Sequence, residues 1–169
     1  MSLKQKIQED FKIVFKAQKQ QETSTLKMLL AAVLLKEKER QFKLASQEKL
    51  SEAQIKAKGE LLSDEEILAI VQSEIKKLKD ALADAQKSQR QDLIAKAQEE
   101  ISILIKYLPP QLSDEDLRAL IIEAIKVVGA KDQKQMGQVI KEVMPKVKGR
   151  AENSKVSEII KEEISKAQW

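Results

Sequence analysis

Tyr107-Leu108-Pro109-Pro110-Gln111-Leu112-Ser113-Asp114-Glu115-Asp116 is the stretch that decides the organisation of this chain. Proline lacks a backbone N–H and disfavours helical geometry at the residue before it, so Pro109-Pro110 ends helical continuity. Ser113 and the acids that follow it are a helix-start signal. We therefore predict a boundary here between an N-terminal helical bundle, residues 1–108, and a C-terminal three-helix bundle, residues 111–169.

Four helices are predicted before this boundary, because apolar residues recur there at steps of three and four. The first covers about residues 3–20, with Ser2 as N-cap and Phe15 on the buried face. The second starts after residues 20–24 behind Ser24 or Thr25, and its stripe includes Leu34. From Lys36 to about Lys58 it is either a solvated extension or a poorly ordered connector.

The third helix starts at the capping box of Ser63 and Glu66 and is expected to end near Ser88-Gln89-Arg90. The fourth covers about residues 92–107, with a stripe that includes Leu93 and Ile105.

Three helices are predicted after the boundary. The first runs from Ser113 to Gly129, a natural helix-ending glycine. The second runs from about Gln133, behind Asp132, to Met144, and ends at Pro145. The third runs from about Lys155 to Ala167. No stretch alternates as a half-buried strand does, so the expected fold class is all-α.

Composition excludes several classes of function. The 169 residues include no cysteine and no histidine, which removes disulfides, thiolate or imidazole metal sites and the common catalytic triads. No P-loop is present, and the acidic clusters at residues 64–66 and 114–116 are best explained as helix starts. The longest apolar run, Met28 to Leu35, has eight residues against the ~20 that span a bilayer. The basic N-terminus meets Glu9 and Asp10 where a signal peptide would be apolar, so we expect a cytoplasmic protein with no metal and no cofactor.

Positive charge concentrates in one segment. The whole chain carries a formal net charge of +4, and residues 131–155 alone also sum to +4. Within Met144-Pro145-Lys146-Val147-Lys148-Gly149-Arg150-Ala151 the three cations fall on alternate residues, so an extended backbone would direct them to one surface, and Gly149 would allow close approach of a phosphate. The other interpretation is a solvated loop near helix C-termini. The candidate anion-binding residues are Lys134, Lys141, Lys146, Lys148, Gly149, Arg150 and Lys155.

Three other residues carry simpler expectations. Arg90 is expected in a turn, bonded to helix ends. Tyr107 is expected to pack at the domain junction with its hydroxyl toward water or backbone. Trp169 is either frayed or docked.

Several motifs, in this order and spacing, resemble the YqeY family, which is similar to the tail of the B subunit of the glutamine-dependent aspartyl/glutamyl-tRNA amidotransferase, GatB. They are Thr25 to Ala32, Leu62 to Glu66, Tyr107 to Leu112, Met136-Gly137 and Met144 to Ala151. The resemblance implies a four-helix and a three-helix bundle and kinship with a tRNA-contacting appendage. It carries over no catalytic residue, because activation and amide transfer belong to other parts of the amidotransferase. Carbon-nitrogen ligase activity with glutamine as amide donor would be a family-level assignment only.

The chain departs from the family pattern at two places. Lys27 stands where arginine is expected, which weakens a phosphate clamp there because lysine lacks bidentate geometry. Glu152-Asn153 replaces Asp-Gly, although asparagine tolerates a left-handed backbone, so the turn after Arg150 is expected to survive.

The leading hypothesis is a non-catalytic tRNA-binding or amidotransferase-associated accessory protein. The first alternative is a helical module that docks on a synthetase or amidotransferase subunit. The second is an enzyme that forms amides, which would need a nucleotide site. Salt distinguishes the first two, since phosphate binding weakens steeply with ionic strength and docking through an apolar helix face does not.

Overall fold

The computed structural model describes residues 1–59 and 61–166, and these residues form helices joined by turns, with no strand among them. The all-α prediction is therefore confirmed. The chain divides into two compact units, Met1–Leu108 and Pro109–Trp169. Within the described ranges, every helix is too short or too polar to cross a membrane.

Among its described residues, the first unit has four long helices and one short one. They are α1 (Leu3–Lys16), α2 (Gln20–Ser46), α3 (Glu52–Ala57), α4 (Asp64–Lys87) and α5 (Gln91–Ile105). The short α3 was not predicted; it occupies part of the segment for which the sequence left two interpretations open. The core contains side chains from α1, α2, α4 and α5 and from the segments beside α4 and α5, namely Ile7, Val14, Leu26, Leu29, Val33, Leu62, Ile67, Val71, Ile75, Ile103, Leu104 and Tyr107.

Serine capping boxes fix the start of three of these helices. Ser63 accepts from the Glu66 N–H, and the Glu66 carboxylate accepts from the Ser63 N–H at 2.8 Å, as predicted. Ser2 caps α1 in the same reciprocal way with Gln5, and Ser51 caps α3. The hydrogen bond from Ser63 lowers the pKa of Glu66, as does nearby Arg40, which lies 2.5 Å away. Each box satisfies two orphan backbone donors within four residues, which explains why the sequence alone located two of these starts.

The predicted start of the second helix was wrong. The chain turns at residues 17–19, where Gln18 is left-handed with φ 55°, and α2 begins at Gln20 without a side-chain cap. Thr25 is buried inside the helix, and its hydroxyl donates to the Gln21 carbonyl at 2.9 Å. Since glutamine rarely adopts a left-handed backbone, the sequence carried no signal for this turn.

Four residues that we expected on buried faces are exposed. They are Phe15, Leu34, Leu93 and Ile105. In α5 the buried positions near the end are the adjacent Ile103 and Leu104, because this helix packs against both α4 and α2. Contact with two neighbours widens and rotates the buried face away from the simple stripe that periodicity suggests.

Arg90 lies in the turn between α4 and α5 and bonds to helix ends, as predicted: its N–H donates to the Ala85 carbonyl at 3.0 Å, and its guanidinium donates to both carboxylate oxygens of Asp92, in the first turn of α5, at 3.1 and 3.0 Å. Tyr107 differs from expectation. Tyr107 is buried in the core of the first unit, and its hydroxyl donates to the Asp10 carboxylate at 2.8 Å instead of facing water or backbone. Lys6 lies over its ring, with Nζ 5.9 Å from the centroid. Ala167 and Trp169 lie outside the described residues.

As far as residue 166, the last one described, the second unit has three α-helices: α6 (Asp114–Val128), α7 (Met136–Val147) and α8 (Asn153–Lys166), with a 3-10 turn at Gln133–Gln135 before α7. Ser113 caps α6, and left-handed Gly129 ends it, as predicted. All three helices contribute to the core, with Leu117, Ile121, Ala124, Val139, Val143, Val147, Val156, Ile159, Ile160 and Ile164 among its buried side chains.

The predicted end of α7 at Pro145 was wrong, because Pro145 lies inside the helix. Proline here removes one backbone hydrogen bond in the last turn, where few bonds remain to be lost. Val147 has no exposed surface, so the last turn is held in the core. Asn153 is the first residue of α8, so it is not the left-handed residue of the preceding turn.

Candidate nucleic-acid interface

A row of lysines follows the outer side of α7 and the turn before it. Lys141 lies on α7, Lys134 in the 3-10 turn before it and Lys148 at its C-cap. Because they are spaced seven residues apart, nearly two helical turns, the largely helical backbone brings them toward one side. The opposite side carries Val139 and Val143, which have no exposed surface. All three lysines are exposed, and their side chains therefore project into solvent. We call Lys134, Lys141 and Lys148 the α7 lysine row.

The ammonium groups of Lys134 and Lys141 have no acidic partner among the described residues. The backbone N–H of Lys134 donates to the Asp132 carboxylate, which caps the 3-10 turn, at 2.9 Å. Two positive charges in this row therefore remain available to an external anion.

Several other cations of the second unit are paired, whereas Lys126, Lys131 and Lys161 are exposed and, like Lys134 and Lys141, have no acidic partner among the described residues. Lys146 lies 3.2 Å from Glu142, and Lys155 forms an ion pair with Asp114. Arg118 is held by Glu162 and Glu163, whose hydrogen bonds raise its pKa. Of the predicted site residues, Lys146 and Lys155 are thus partly neutralised within the unit.

The extended backbone that we expected for residues 146–150 does not form. Lys146 is helical, and the chain then makes a type II β-turn over residues 147–150. Lys148 has φ −57° and ψ 121°, Gly149 has φ 76°, and the Arg150 N–H donates to the Val147 carbonyl at 2.9 Å. A type II turn requires positive φ at its third residue, which is the position of Gly149. The alternate spacing of the three cations therefore does not place them on one strand-like face.

This turn is attached to the segment that begins the second unit. The Gln111 side-chain amide donates to the Gly149 carbonyl at 2.8 Å and to the Pro109 carbonyl at 2.9 Å. The Leu112 N–H donates to the Arg150 carbonyl at 2.8 Å, and Arg150 Nε donates to the Pro110 carbonyl at 3.3 Å. Gly149 is buried, so its role is to form the turn and not to admit a phosphate.

Gln111 was not recognised from the sequence as a functional or structural centre. It joins two of the motifs on which the family resemblance rests, although 38 residues separate it from Gly149. The only sequence signal was its place directly after Pro109-Pro110. A pattern of local spacing cannot reveal a partner at that distance along the chain.

The acidic clusters do not form a metal site. No group of three or more carboxylates in the described part of the chain could hold a metal ion. Asp64 accepts a hydrogen bond from the Leu3 N–H at 2.8 Å, and Asp116 accepts from the hydroxyl of the α6 cap Ser113 at 2.6 Å. These carboxylates therefore satisfy donors at helix starts.

Fold and surface together define a class: an all-helical protein of two compact units, the second of which carries an exposed lysine row on one helix. The comparisons then identify the family. The family model described as Yqey-like protein matches residues 46–164, and the chain belongs to the YqeY family. A search of curated proteins found no match.

Proposed function

We propose that this protein is a cytoplasmic, non-catalytic accessory protein that binds tRNA through the α7 lysine row of its second unit. The observation that carries this proposal is the pair of exposed ammonium groups, Lys134 and Lys141, which have no carboxylate partner among the described residues. Lysine ammonium groups and RNA phosphates attract each other, and binding releases counterions.

The chemistry of the surface favours contact with the phosphate backbone over reading of bases. The chain has three phenylalanines, one tyrosine and one tryptophan, and the single tyrosine is buried. Single-strand readers generally stack bases on several aromatic side chains. Recognition by the α7 lysine row would therefore follow the shape and charge of a folded RNA.

The choice of tRNA among nucleic acids rests on the resemblance to the GatB tail. An accessory protein of this kind would present or retain tRNA beside an amidotransferase or a synthetase, and the chemistry would belong to that partner. The amide-forming step is not assigned to any residue of this chain.

Binding of total cellular tRNA by the full-length protein tests the proposal. We expect saturable binding that weakens as salt rises and that exceeds binding of a DNA duplex. The double variant Lys134→Ala/Lys141→Ala should bind more weakly and should flatten the slope of log K against log salt by about 2, one for each lost phosphate contact. Both side chains are exposed, so the fold should be unchanged, and circular dichroism checks this.

The matched control is Lys76→Ala/Lys96→Ala. These lysines are exposed on α4 and α5 and also have no acidic partner among the described residues. The control removes the same charge, so an equal loss of binding in both double variants would show that net charge alone attracts RNA and would refute the assignment to α7. Absence of tRNA binding by the unaltered protein at low salt would refute the function itself.

A further inference from the structure

Helix α2 is apolar on two opposite sides, and only one of them is covered. Leu26, Leu29 and Val33 face the core and are at most 2% exposed. On the opposite side Met28, Leu35 and Phe42 are spaced seven residues apart, so they form one row along the helix. These three side chains are 38%, 62% and 75% exposed. We call them the α2 apolar row.

Such a row differs from the scattered apolar residues of an ordinary surface. A helix that is apolar all round is normally enclosed by protein, and contiguous exposed apolar patches mark interaction sites. At its far end the row opens into a cavity of about 640 Å³, lined by Phe42 and Ala45 of α2, by Ile55 of α3 and by Leu61. The row therefore ends at a concave pocket of mixed lining, in which Lys38, Gln41, Glu52 and Lys56 lie beside the apolar side chains.

The charges beside the row are mostly positive. At 100° per residue, Lys27 and Lys38 lie on one side of the row and Lys43 lies on the other. All three are exposed, and none has an acidic partner in the described part of the chain. Glu39, also beside the row, is paired with Lys36 at 2.7 Å, and Glu52 lies with Lys38 and Lys56 at the cavity. Lys27, Lys38 and Lys43 therefore leave three unpaired positive charges beside the row, against one carboxylate, Glu52, that has no ion-pair partner among the described residues and lies at the cavity.

We propose that the α2 apolar row is the docking site for an acidic amphipathic helix of a partner protein. Apolar side chains of that helix, at spacings of three, four and seven, would cover Met28, Leu35 and Phe42. Its flanking Asp and Glu side chains would pair with Lys27, Lys38 and Lys43. A second copy of this chain fits less well, because two copies of the row would bring these lysines toward each other.

This inference goes beyond tRNA binding, because it concerns the first unit and uses no residue of the α7 lysine row. It also gives the partner a chemical description: a helix with one apolar side and carboxylates on both flanks.

A display library tests the proposal with the full-length protein as bait. Each library peptide is a helix of about 18 residues, five turns, with leucine fixed at the apolar positions and Glu, Lys or Gln allowed at the flanks. We expect selection to enrich Glu at the flanks. The enriched peptide should bind Leu35→Ser/Phe42→Ser at least about tenfold more weakly than the unaltered protein, as for loss of central apolar contacts.

Two control variants test whether peptide binding depends on the α2 apolar row itself or on any exposed apolar side chain or lysine. Val127→Ser changes another apolar residue, which is 67% exposed on α6, and should leave peptide binding unchanged. Lys38→Glu should weaken binding of the acidic peptide, whereas Lys76→Glu on α4 should not. Leu35→Ser/Phe42→Ser should keep its tRNA binding, so failure of one proposal is distinguishable from failure of the other.

Several outcomes would overturn the docking proposal. Flanks enriched in Gln or Lys, no enrichment, or binding unaffected by Leu35→Ser/Phe42→Ser would each reject an acidic helix at this site. Self-association of the free protein that disappears in Leu35→Ser/Phe42→Ser, measured by sedimentation equilibrium, would assign the row to a second copy. Binding to phosphatidylserine vesicles that disappears in the same variant would assign it to a membrane surface.

Discussion

The role of Gly149 in the structure differs from the role that the sequence suggested. In the sequence it stands among three cations and suggested close approach of a phosphate. In the structure it is buried with φ 76°, and its carbonyl accepts from Gln111. The neighbouring lysines remain on the surface, so the motif combines a structural turn with exposed charge.

Replacing Gly149 by alanine should destabilise the second unit. A side chain at positive φ costs about 1–2 kcal/mol, so Gly149→Ala should lower the free energy of unfolding by that amount. Urea unfolding followed by circular dichroism measures the change.

Gly137 provides the matched control for this substitution. It lies inside α7, and a Cβ added there would meet nothing within 4 Å. Gly137→Ala should therefore raise stability by up to about 1 kcal/mol, since alanine favours helix. If Gly149→Ala left the free energy of unfolding unchanged or raised it, the turn would not depend on a glycine at position 149.

At the scale of elements, helix caps that bond within a few residues can be predicted from the sequence, whereas contacts between distant residues cannot. The starts of α1, α4 and α6 follow from serine caps that bond three residues ahead. By contrast, the hydrogen bond from Tyr107 to Asp10, which ties the end of α5 to α1, spans 97 residues. The sequence indicated the former and gave no sign of the latter.

The titration of Tyr107 tests how α1 is attached to the segment after α5. Burial, together with the hydrogen bond and charge of Asp10, raises the pKa of Tyr107 well above its usual value of about 10. The folded state thus keeps its proton longer than the unfolded state. The protonated Tyr107 therefore stabilises the folded state fully below about pH 10, the pKa in the unfolded chain. This contribution to the free energy of unfolding is lost as pH rises from there toward the folded pKa.

Tyr107 is the single tyrosine of the chain, so ultraviolet absorbance of tyrosinate reports on it alone. We expect ionisation of the folded protein well above pH 10 and ionisation near pH 10 in denaturant. Asp10→Asn should lower the folded pKa while burial keeps it above 10. A folded midpoint near 10 would mean that the ring is not enclosed as described.

For the whole molecule, the central feature is that each unit has its own core. The buried clusters of residues 1–108 and 109–166 share no side chain. The two proposed surfaces are likewise divided, with the α2 apolar row in the first unit and the α7 lysine row in the second.

Residues 109–169 expressed alone should therefore fold. All three helices contribute to the core, and the bonds of Gln111 and Arg150 to the chain around residues 109–112 lie within this unit. A unit of this size is small, so we expect modest stability. Cooperative thermal unfolding of a helical spectrum would confirm the prediction, and Gly149→Ala should lower the midpoint of this fragment. A fragment without cooperative unfolding would contradict an independent core.

The sequence by itself determined the all-helical class, the capped starts of α1, α4 and α6, and the resemblance to the YqeY family. These follow from hydrogen bonds within three or four residues and from the order of motifs along one chain. Only the tertiary structure decided that Lys134 and Lys141 remain unpaired, that Gly149 is held by Gln111, and that α2 exposes a second apolar side. Each of these depends on which distant residues are brought into contact, and that information is not contained in local spacing.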